Sequence, residues 1–300
     1  MLRAKRLADG STTGPLESEI WLDVESPSPE ELEAIKPWGL NPLSLADARE
    51  IGHWSRFEHY PEHLFLILRT LEPPHNSKSR TERVSYFYFP ERRALITFRN
   101  EPVEYLEAEW GSFKGGSSLA LWQRLLDRGV ETFFDYLESL YGRVDDLEEE
   151  AVAGDQTELP RKVFSLRREV LYTRRLSSQA RDALVRLERE PSLGADAYLF
   201  RDLTDRMGRV YEGLDAARDV LAGALEVHLS AQNNKLNLVV QRLTVISTLL
   251  LPLTLWAGIY GTNFKTFSEY DWASGRAFFW GGLVVIGATL AIWMKRKGWW

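Results

Sequence analysis

Leu243-Thr244-Val245-Ile246-Ser247-Thr248-Leu249-Leu250-Leu251-Pro252-Leu253-Thr254-Leu255-Trp256-Ala257-Gly258-Ile259-Tyr260 is a run of 18 residues without a formal charge. Ala277–Met294 is a second uncharged run of 18, and 16 residues separate the two. A hydrocarbon core about 30 Å thick takes roughly 20 helical residues, with about 17 as the practical minimum. Two such runs joined by a short connection predict a helical hairpin through a lipid bilayer. Pro252 lies inside the first run, where a kink rather than an end is expected, because membrane helices tolerate proline.

Charged residues make up 27% of the 300-residue chain and the net charge is −6, so the hairpin follows a long polar region. An acidic chain with no extended basic cluster has no phosphate-tracking surface, which argues against a nucleic-acid partner. With no cysteine there is neither a disulfide frame nor a thiolate metal site. Met1-Leu2-Arg3-Ala4-Lys5-Arg6 is basic, but no apolar run of about 7–15 residues follows it as in a signal peptide, so the polar region is expected in the cytoplasm. Lys235, Arg242, Lys295, Arg296 and Lys297 flank the outer ends of the hairpin, whereas its connection carries only Lys265 and Arg276. The positive-inside rule then puts both termini in the cytoplasm of a plasma (inner) membrane protein, with the loop outside. Trp256, Trp272, Trp280, Trp293, Trp299 and Trp300 suit the two interfaces.

The remaining chain divides by pattern. Residues 1–117 read as an α/β cytoplasmic domain. Strands are expected over Ile20–Val24, His63–Leu71, Val84–Phe89 and Ala94–Phe98, and a helix over Pro29–Ile35. Pro73-Pro74-His75-Asn76-Ser77 is a connection, and Gly115-Gly116-Ser117-Ser118 closes the domain. Residues 118–236 read as long stalk helices: Leu119–Ala153 up to Gly154-Asp155, then about Arg161–Glu190, then a helix starting near Ala195. The last has no break before Pro252, and if continued to Tyr260 it would span roughly 100 Å. Residues 237–260 form the first membrane helix, 261–276 the external loop, 277–294 the second membrane helix and 295–300 a basic, aromatic tail.

Asn237, Val240, Thr244, Ser247, Leu251, Thr254 and Gly258 are spaced 3, 4, 3, 4, 3, 4, the seam of a helix that meets neighbours along one face. Small and hydroxylic residues occupy it between isolated aliphatics. Such a seam suits a tight helix–helix contact. It equally suits the lining of a channel on the axis of a symmetric oligomer, in which hydroxyl and amide oxygens are weak ligands for a hydrated cation. Leu243 or Leu251 would then be apolar constrictions. With no Asp or Glu in the lining, and with Mg²⁺ reluctant to give up water, contacts to the ion's water shell are expected rather than direct coordination.

Leu251-Pro252-Leu253-Thr254-Leu255-Trp256-Ala257-Gly258-Ile259-Tyr260-Gly261-Thr262-Asn263-Phe264 resembles the first membrane helix and signature loop of the CorA family of divalent-cation channels. Tyr198-Leu199-Phe200-Arg201-Asp202-Leu203-Thr204-Asp205 is similar to its stalk segment. Pro42-Leu43-Ser44-Leu45-Ala46-Asp47, with Arg56-Phe57-Glu58, is similar to its N-terminal domain. The resemblance covers nearly the full chain. It implies a homopentamer with a pore lined by the first membrane helix: Asn263 as the outer ring with Tyr260, Gly261 and Thr262 beside it, Thr254 between mouth and gate, Leu243 and Leu251 at the gate, and Asn237 at the cytoplasmic end. It also implies closure by divalent ions held between cytoplasmic domains, with Asp47, Asp202 and Asp127 as candidate ligands. Three positions depart from the family pattern: Thr262 replaces the usual Met of Gly-Met-Asn, Lys265 stands where acids are common, and Ala46 stands where an acid is frequent.

His53, His59, His63 and His75 form no helical two-histidine-plus-Glu zinc motif, and neither a phosphate-binding loop nor a nucleophile elbow occurs, so neither an enzyme nor an ATP-driven pump is expected. Asp145-Asp146-Leu147-Glu148-Glu149-Glu150 reads as a solvated helix face. No cofactor is implied beyond the divalent cation as substrate and regulator. The leading expectation is a passive Mg²⁺ channel, also passing Co²⁺ or Ni²⁺. The alternatives are a zinc transporter like the ZntB branch, with or without proton coupling, and a non-conducting membrane scaffold or sensor.

Overall fold

The computed structural model describes residues 1–50, 52–72, 80–153, 158–262 and 273–299. Two units are distinguished, Met1–Leu225 and Glu226–Trp300. The connections at Pro73–Ser77 and Gly154-Asp155, together with His75, Trp272 and Trp300, lie outside the described residues.

In the first unit, β1 (Leu2–Arg6), β2 (Ile20–Glu25), β3 (Arg56–His59), β4 (Leu64–Leu71), β5 (Thr81–Phe89) and β6 (Ala94–Arg99) form one sheet. Its order is β1-β2-β6-β5-β4-β3. Only β2 and β6 run parallel; every other neighbour is antiparallel. Every residue of β4 except Arg69 is buried, and an apolar run of this kind belongs in a sheet covered on both faces.

One face carries Phe65, Ile67, Phe87, Ile96 and Val24 under Ile35 of α1 (Pro29–Ile35), Trp38 and Ala48 of α2 (Pro42–Arg49). The α1 expectation holds to the residue because Ser28 and Glu31 form a reciprocal capping box with proline in the first turn. The other face carries Trp21, Leu66, Leu68, Tyr86 and Leu95 under α3 (Glu104–Ser112) and α4 (Ser118–Ala153). There α4 approaches β4 so closely that a Cβ on Gly129 would fall 2.7 Å from Leu68 Cδ2. That second face also buries a polar ladder: Trp21 Nε1 donates to Thr97 Oγ1 (3.1 Å), Thr97 Oγ1 to Asp23 (2.7 Å) and Arg99 to Asp23 (2.9 Å). Arg99 and Asp23 are both fully buried.

α5 (Leu159–Glu188) packs back along α4 and is followed by a 3₁₀ segment, Pro191–Phe200, before α6 (Arg201–Tyr260). Helical backbone is thus present from the expected start near Ala195, just after Gly194 (φ +53°, ψ −128°), but it is 3₁₀ as far as Phe200 and the α-helix proper begins at Arg201. The part of α6 in this unit contributes Leu203, Met207, Val210, Leu214 and Leu221 to the same core as α4 and α5.

The second unit consists of the remainder of α6 and α7 (Gly275–Arg296). Both contain windows long and apolar enough to cross a membrane, and only 6% of each such window is buried. Pro252 stays within a continuous helix.

Candidate functional site

The membrane-length part of α6 has two distinct sides. Toward α7 it presents Trp256, whose Nε1 donates to Phe279 O at 3.1 Å, and Leu253, 3.9 Å from the Cβ position of Gly287. Lower down, Gln241 Nε2 donates to Trp299 O at 3.4 Å and Val245 is buried. The seam residues Asn237, Val240, Thr244, Ser247, Leu251, Thr254 and Gly258 are all exposed. At 3.6 residues per turn they lie roughly 150° around the helix from the side that meets α7. Leu251 is 67% and Val240 52% exposed, so none of the described residues covers this face.

Leu243 stands beside the seam, 63% exposed, in line with Val239, Ile246 and Leu250 on an apolar third face. Tyr260 ends the described pore-side run at the last residue of α6. Its ring packs on Phe279 (centroids 5.5 Å apart) and on Trp256 (5.1 Å). Gly261 and Thr262 close the helix: Gly261 N–H donates to Ala257 O and Thr262 Oγ1 to Ile259 O at 2.7 Å. Asn263, Lys265, Glu269 and Asp271 lie outside the described residues.

Threonine hydroxyls on the seam are already committed as donors. Thr244 Oγ1 donates to Val240 O (2.8 Å), and Thr254 Oγ1 to Leu250 O and Leu251 O (both 2.9 Å). A hydroxyl has one proton and two lone pairs, so each of these oxygens is left facing outward as an acceptor only. Such oxygens suit the outward-pointing hydrogens of a cation's water shell.

The three candidate regulatory acids are not brought together in one chain. Asp47 is ion-paired with Arg56 and lies 3.1 Å from His53 Nε2. Asp127 is ion-paired with Arg206. Asp202 is exposed in the first turn of α6, where a negative charge is favoured by the helix dipole. Among the described residues no group of three or more His, Asp or Glu could hold a metal ion.

Among the described histidines of the first unit, His59 and His63 also have polar side-chain neighbours. His63 is buried. Ser44 Oγ donates to Asn41 O and so accepts from His63 Nε2 (3.1 Å), which assigns the proton to Nε2. Burial pushes the His63 pKa down to about 4. His59 Nδ1 lies 2.9 Å from Glu190. Glu82 borders a cavity of about 400 Å³ with Glu104, Glu109, Glu131 and Asp135. Burial, then the neighbouring Glu72 and Glu104, push its pKa up to about 7.

Residues 17–296 match the family described as CorA-like Mg2+ transporter protein. The chain belongs to this family. It is 28% identical over 273 residues to the cobalt/magnesium transport protein CorA of Thermotoga maritima, covering 87% of this chain and 77% of that one. It is 25% identical over 229 residues to the zinc transport protein ZntB of Klebsiella pneumoniae, covering 70% of this chain and 66% of the relative. The solved CorA magnesium transporter of Methanocaldococcus jannaschii shares its fold with a TM-score of 0.84 at 21% identity, over 100% of this chain and 99% of that one. The CorA fold expected from the sequence, an α/β domain followed by long helices and two C-terminal membrane-length helices, is thus present, and the family is one of transporters rather than enzymes.

Two features of this CorA-family chain escaped sequence reasoning. The pairing of Asp47 with Arg56, beside His53, depends on α2 and β3, neither of which the periodicity predicts. The close fit of Trp256 on Gly282 was legible only as an aromatic and a glycine in separate apolar runs.

Proposed function

We propose that this protein is a passive divalent-cation channel, carrying Mg²⁺ foremost and Co²⁺ or Ni²⁺ with it. In this reading a homopentamer surrounds an axial pore lined by the α6 seam. Hydrated ions pass Asn263, Thr262, Gly261 and Tyr260 at the outer mouth, then Thr254, Leu251, Ser247, Thr244, Leu243, Val240 and Asn237. The observation that carries the reading is the uncovered, polar-dotted seam whose threonine oxygens are left as acceptors only. Acceptors without charge hold a water shell but do not strip it, as a cation that dehydrates reluctantly requires. Inward movement of a 2+ ion at 100 mV gains about 4.6 kcal/mol, so no fuel is needed.

Both termini are assigned to the cytoplasmic side of the plasma membrane, following the basic residues at the hairpin's outer ends. Divalent ions bridging cytoplasmic domains of adjacent subunits would favour the closed state. Asp202, free of ion pairs among the described residues, is the readier ligand; a metal at Asp47 or Asp127 must first displace an arginine.

A second reading, zinc transport, rests on the likeness to ZntB and on Thr262 in place of methionine. Uptake of Mg²⁺ and Zn²⁺ into liposomes, with and without a pH gradient, separates the two. Mg²⁺ flux independent of the gradient, lost in Asn263→Ala, is expected. Gradient-dependent Zn²⁺ flux without Mg²⁺ flux would replace the first reading by the second, and no flux of either ion would leave only a non-conducting role. A shift toward Mg²⁺ in Thr262→Met would assign selectivity to that position.

A further inference from the structure

At the outer end of α6, Trp256 interlocks with a glycine of α7. A Cβ built on Gly282 would lie 2.5 Å from Trp256 Cζ2 and 3.0 Å from Cε2, so the benzo ring of the indole occupies the space a side chain would take. At the adjacent Gly281 such a Cβ would meet nothing within 4 Å. The close approach is therefore specific to one glycine. On the same ring, Nε1 donates to Phe279 O, and the indole lies 5.1 Å from Tyr260 and 6.0 Å from Phe278. One side chain thus fixes both distance, through the notch, and rotation, through the directed hydrogen bond.

Rotation matters here because Pro252 precedes this segment by one turn. Proline has no N–H to donate back along the helix and its ring crowds the preceding turn, so the backbone fixes the azimuth of residues 253–260 less firmly than elsewhere. Thr254 and Gly258 lie two residues either side of Trp256, on the opposite side of the same turns. Any rotation that releases the indole from Gly282 swings both of them off the seam.

We infer that Trp256, seated in the Gly282 notch, is a positioning residue that sets the rotation of the outer part of α6 and so keeps Thr254 and Gly258 on the seam. The inference rests on the channel reading for its effect on transport but not for its geometry. Small residues at membrane-helix contacts allow this kind of backbone approach. A misplacement of about 1 Å at a functional group is enough for losses on the order of tenfold to a hundredfold.

The absence of cysteine gives a direct test in the full-length protein reconstituted in liposomes. Thr254→Cys is introduced alone and together with Gly282→Ala, Gly282→Val, Trp256→Phe, Trp256→Leu and the pair Trp256→Leu/Gly282→Val. Two quantities are read: the rate at which a water-soluble methanethiosulfonate labels the thiol introduced by Thr254→Cys, and, in the Thr254 background, the Mg²⁺:Co²⁺ flux ratio. Gly282→Val is expected to slow labelling about tenfold and to shift the flux ratio, Gly282→Ala to do so less, and the Trp256→Leu/Gly282→Val pair to recover most of both. Trp256→Phe, which keeps an aromatic body but loses the N–H, is expected to shift the ratio while remaining assembled. Unchanged labelling in Gly282→Ala and Trp256→Phe, or a pair that is no better than Gly282→Val, overturns the inference. Labelling that follows the expected order in a protein with no divalent flux would sustain the positioning role and remove the channel reading instead.

Discussion

Strand β4 and the C-terminal part of α6 are both apolar runs, yet the chain treats them oppositely. In Leu64–Leu71 every residue but Arg69 is buried by helices of the same chain. In Leu243–Tyr260 the side chains of Leu243, Ile246, Leu250, Leu251, Leu255 and Ile259 are between 43% and 67% exposed. Exposed apolar area costs about 25 cal/mol per Å² in water, so the second run is stable only where lipid or another copy covers it. The comparison separates two uses of hydrophobicity. The α/β unit completes its core alone, whereas α6 and α7 have faces that only a bilayer or an oligomer can complete.

The largest expected effect falls on the self-sufficient side. Asp23→Ala leaves Arg99 fully buried beside fewer anions; Glu25 and Glu107 remain. Breaking a buried pair by removing one partner costs about 3–5 kcal/mol, read as a fall in the melting midpoint of the purified full chain. A variant that melts like the parent would mean that the sheet's polar ladder contributes little and that its apolar faces suffice.

Acid should weaken the same unit next most strongly. His63 is neutral in the fold, with its pKa lowered to about 4 against about 6.5 when unfolded. Between these values the unfolded chain binds the extra proton, so stability is full above pH 6.5 and is lost as pH falls toward 4, by roughly 3 kcal/mol. Glu82 has the opposite sign. Its pKa is raised to about 7, so the folded state holds its proton in the window where the unfolded one does not, and stability falls as pH rises through it. Denaturant titrations from pH 4 to 7 should therefore show a steeper acid loss in Glu82→Gln than in the parent, and a shallower one in His63→Gln. Equal slopes in parent and His63→Gln would show that His63 is not held neutral.

The contrast between the two runs also explains what could be read in advance. Length and lack of charge were enough for the hairpin, and Ser28, Pro29 and Glu31 were enough for α1, because these signals are local. β1, β3 and α3 carry no such signal, whereas α2 does have one in its N-cap Asn41 and the following Pro42. Arg3 and Lys5 alternate with Leu2 and Ala4, but their strand forms because it pairs with β2. Arg56–His59 has one buried residue and owes its strand character to pairing with β4. The seam was legible because its period is a property of one helix. That Tyr260 packs on Phe279 was not, since Phe279 stands on a different helix.

On the open side, Thr254→Lys should abolish transport while sparing the sheet. In the proposed pentamer it places five ammonium groups around the path of a divalent cation, in a site where charge is poorly screened. Mg²⁺ uptake is expected to drop at least about a hundredfold, on the order of 2.7 kcal/mol, with the melting midpoint of the α/β unit unchanged. Uptake at the parental rate would take Thr254 off the conduction path and would erase the functional half of the comparison.

The smallest effect is the most discriminating, because it separates a packing seam from a wet one. Thr244→Val keeps the shape and β-branching of the side chain but removes its oxygen, whereas Thr244→Ser keeps the oxygen and loses a methyl group. The Thr244 proton is spent on Val240 O, so the only interaction Val loses toward the axis is one acceptor. A seam that merely packs helices would tolerate Val and lose contact in Ser. A seam that contacts a hydrated ion would lose about 1 kcal/mol per missing acceptor in Val, a fewfold fall in Mg²⁺ flux, and be nearly unchanged in Ser. Flux assays on both variants, with oligomer stability measured in parallel, decide the matter: Val reducing flux without loosening the oligomer supports conduction, and Ser loosening the oligomer while Val leaves flux intact makes the seam a structural contact.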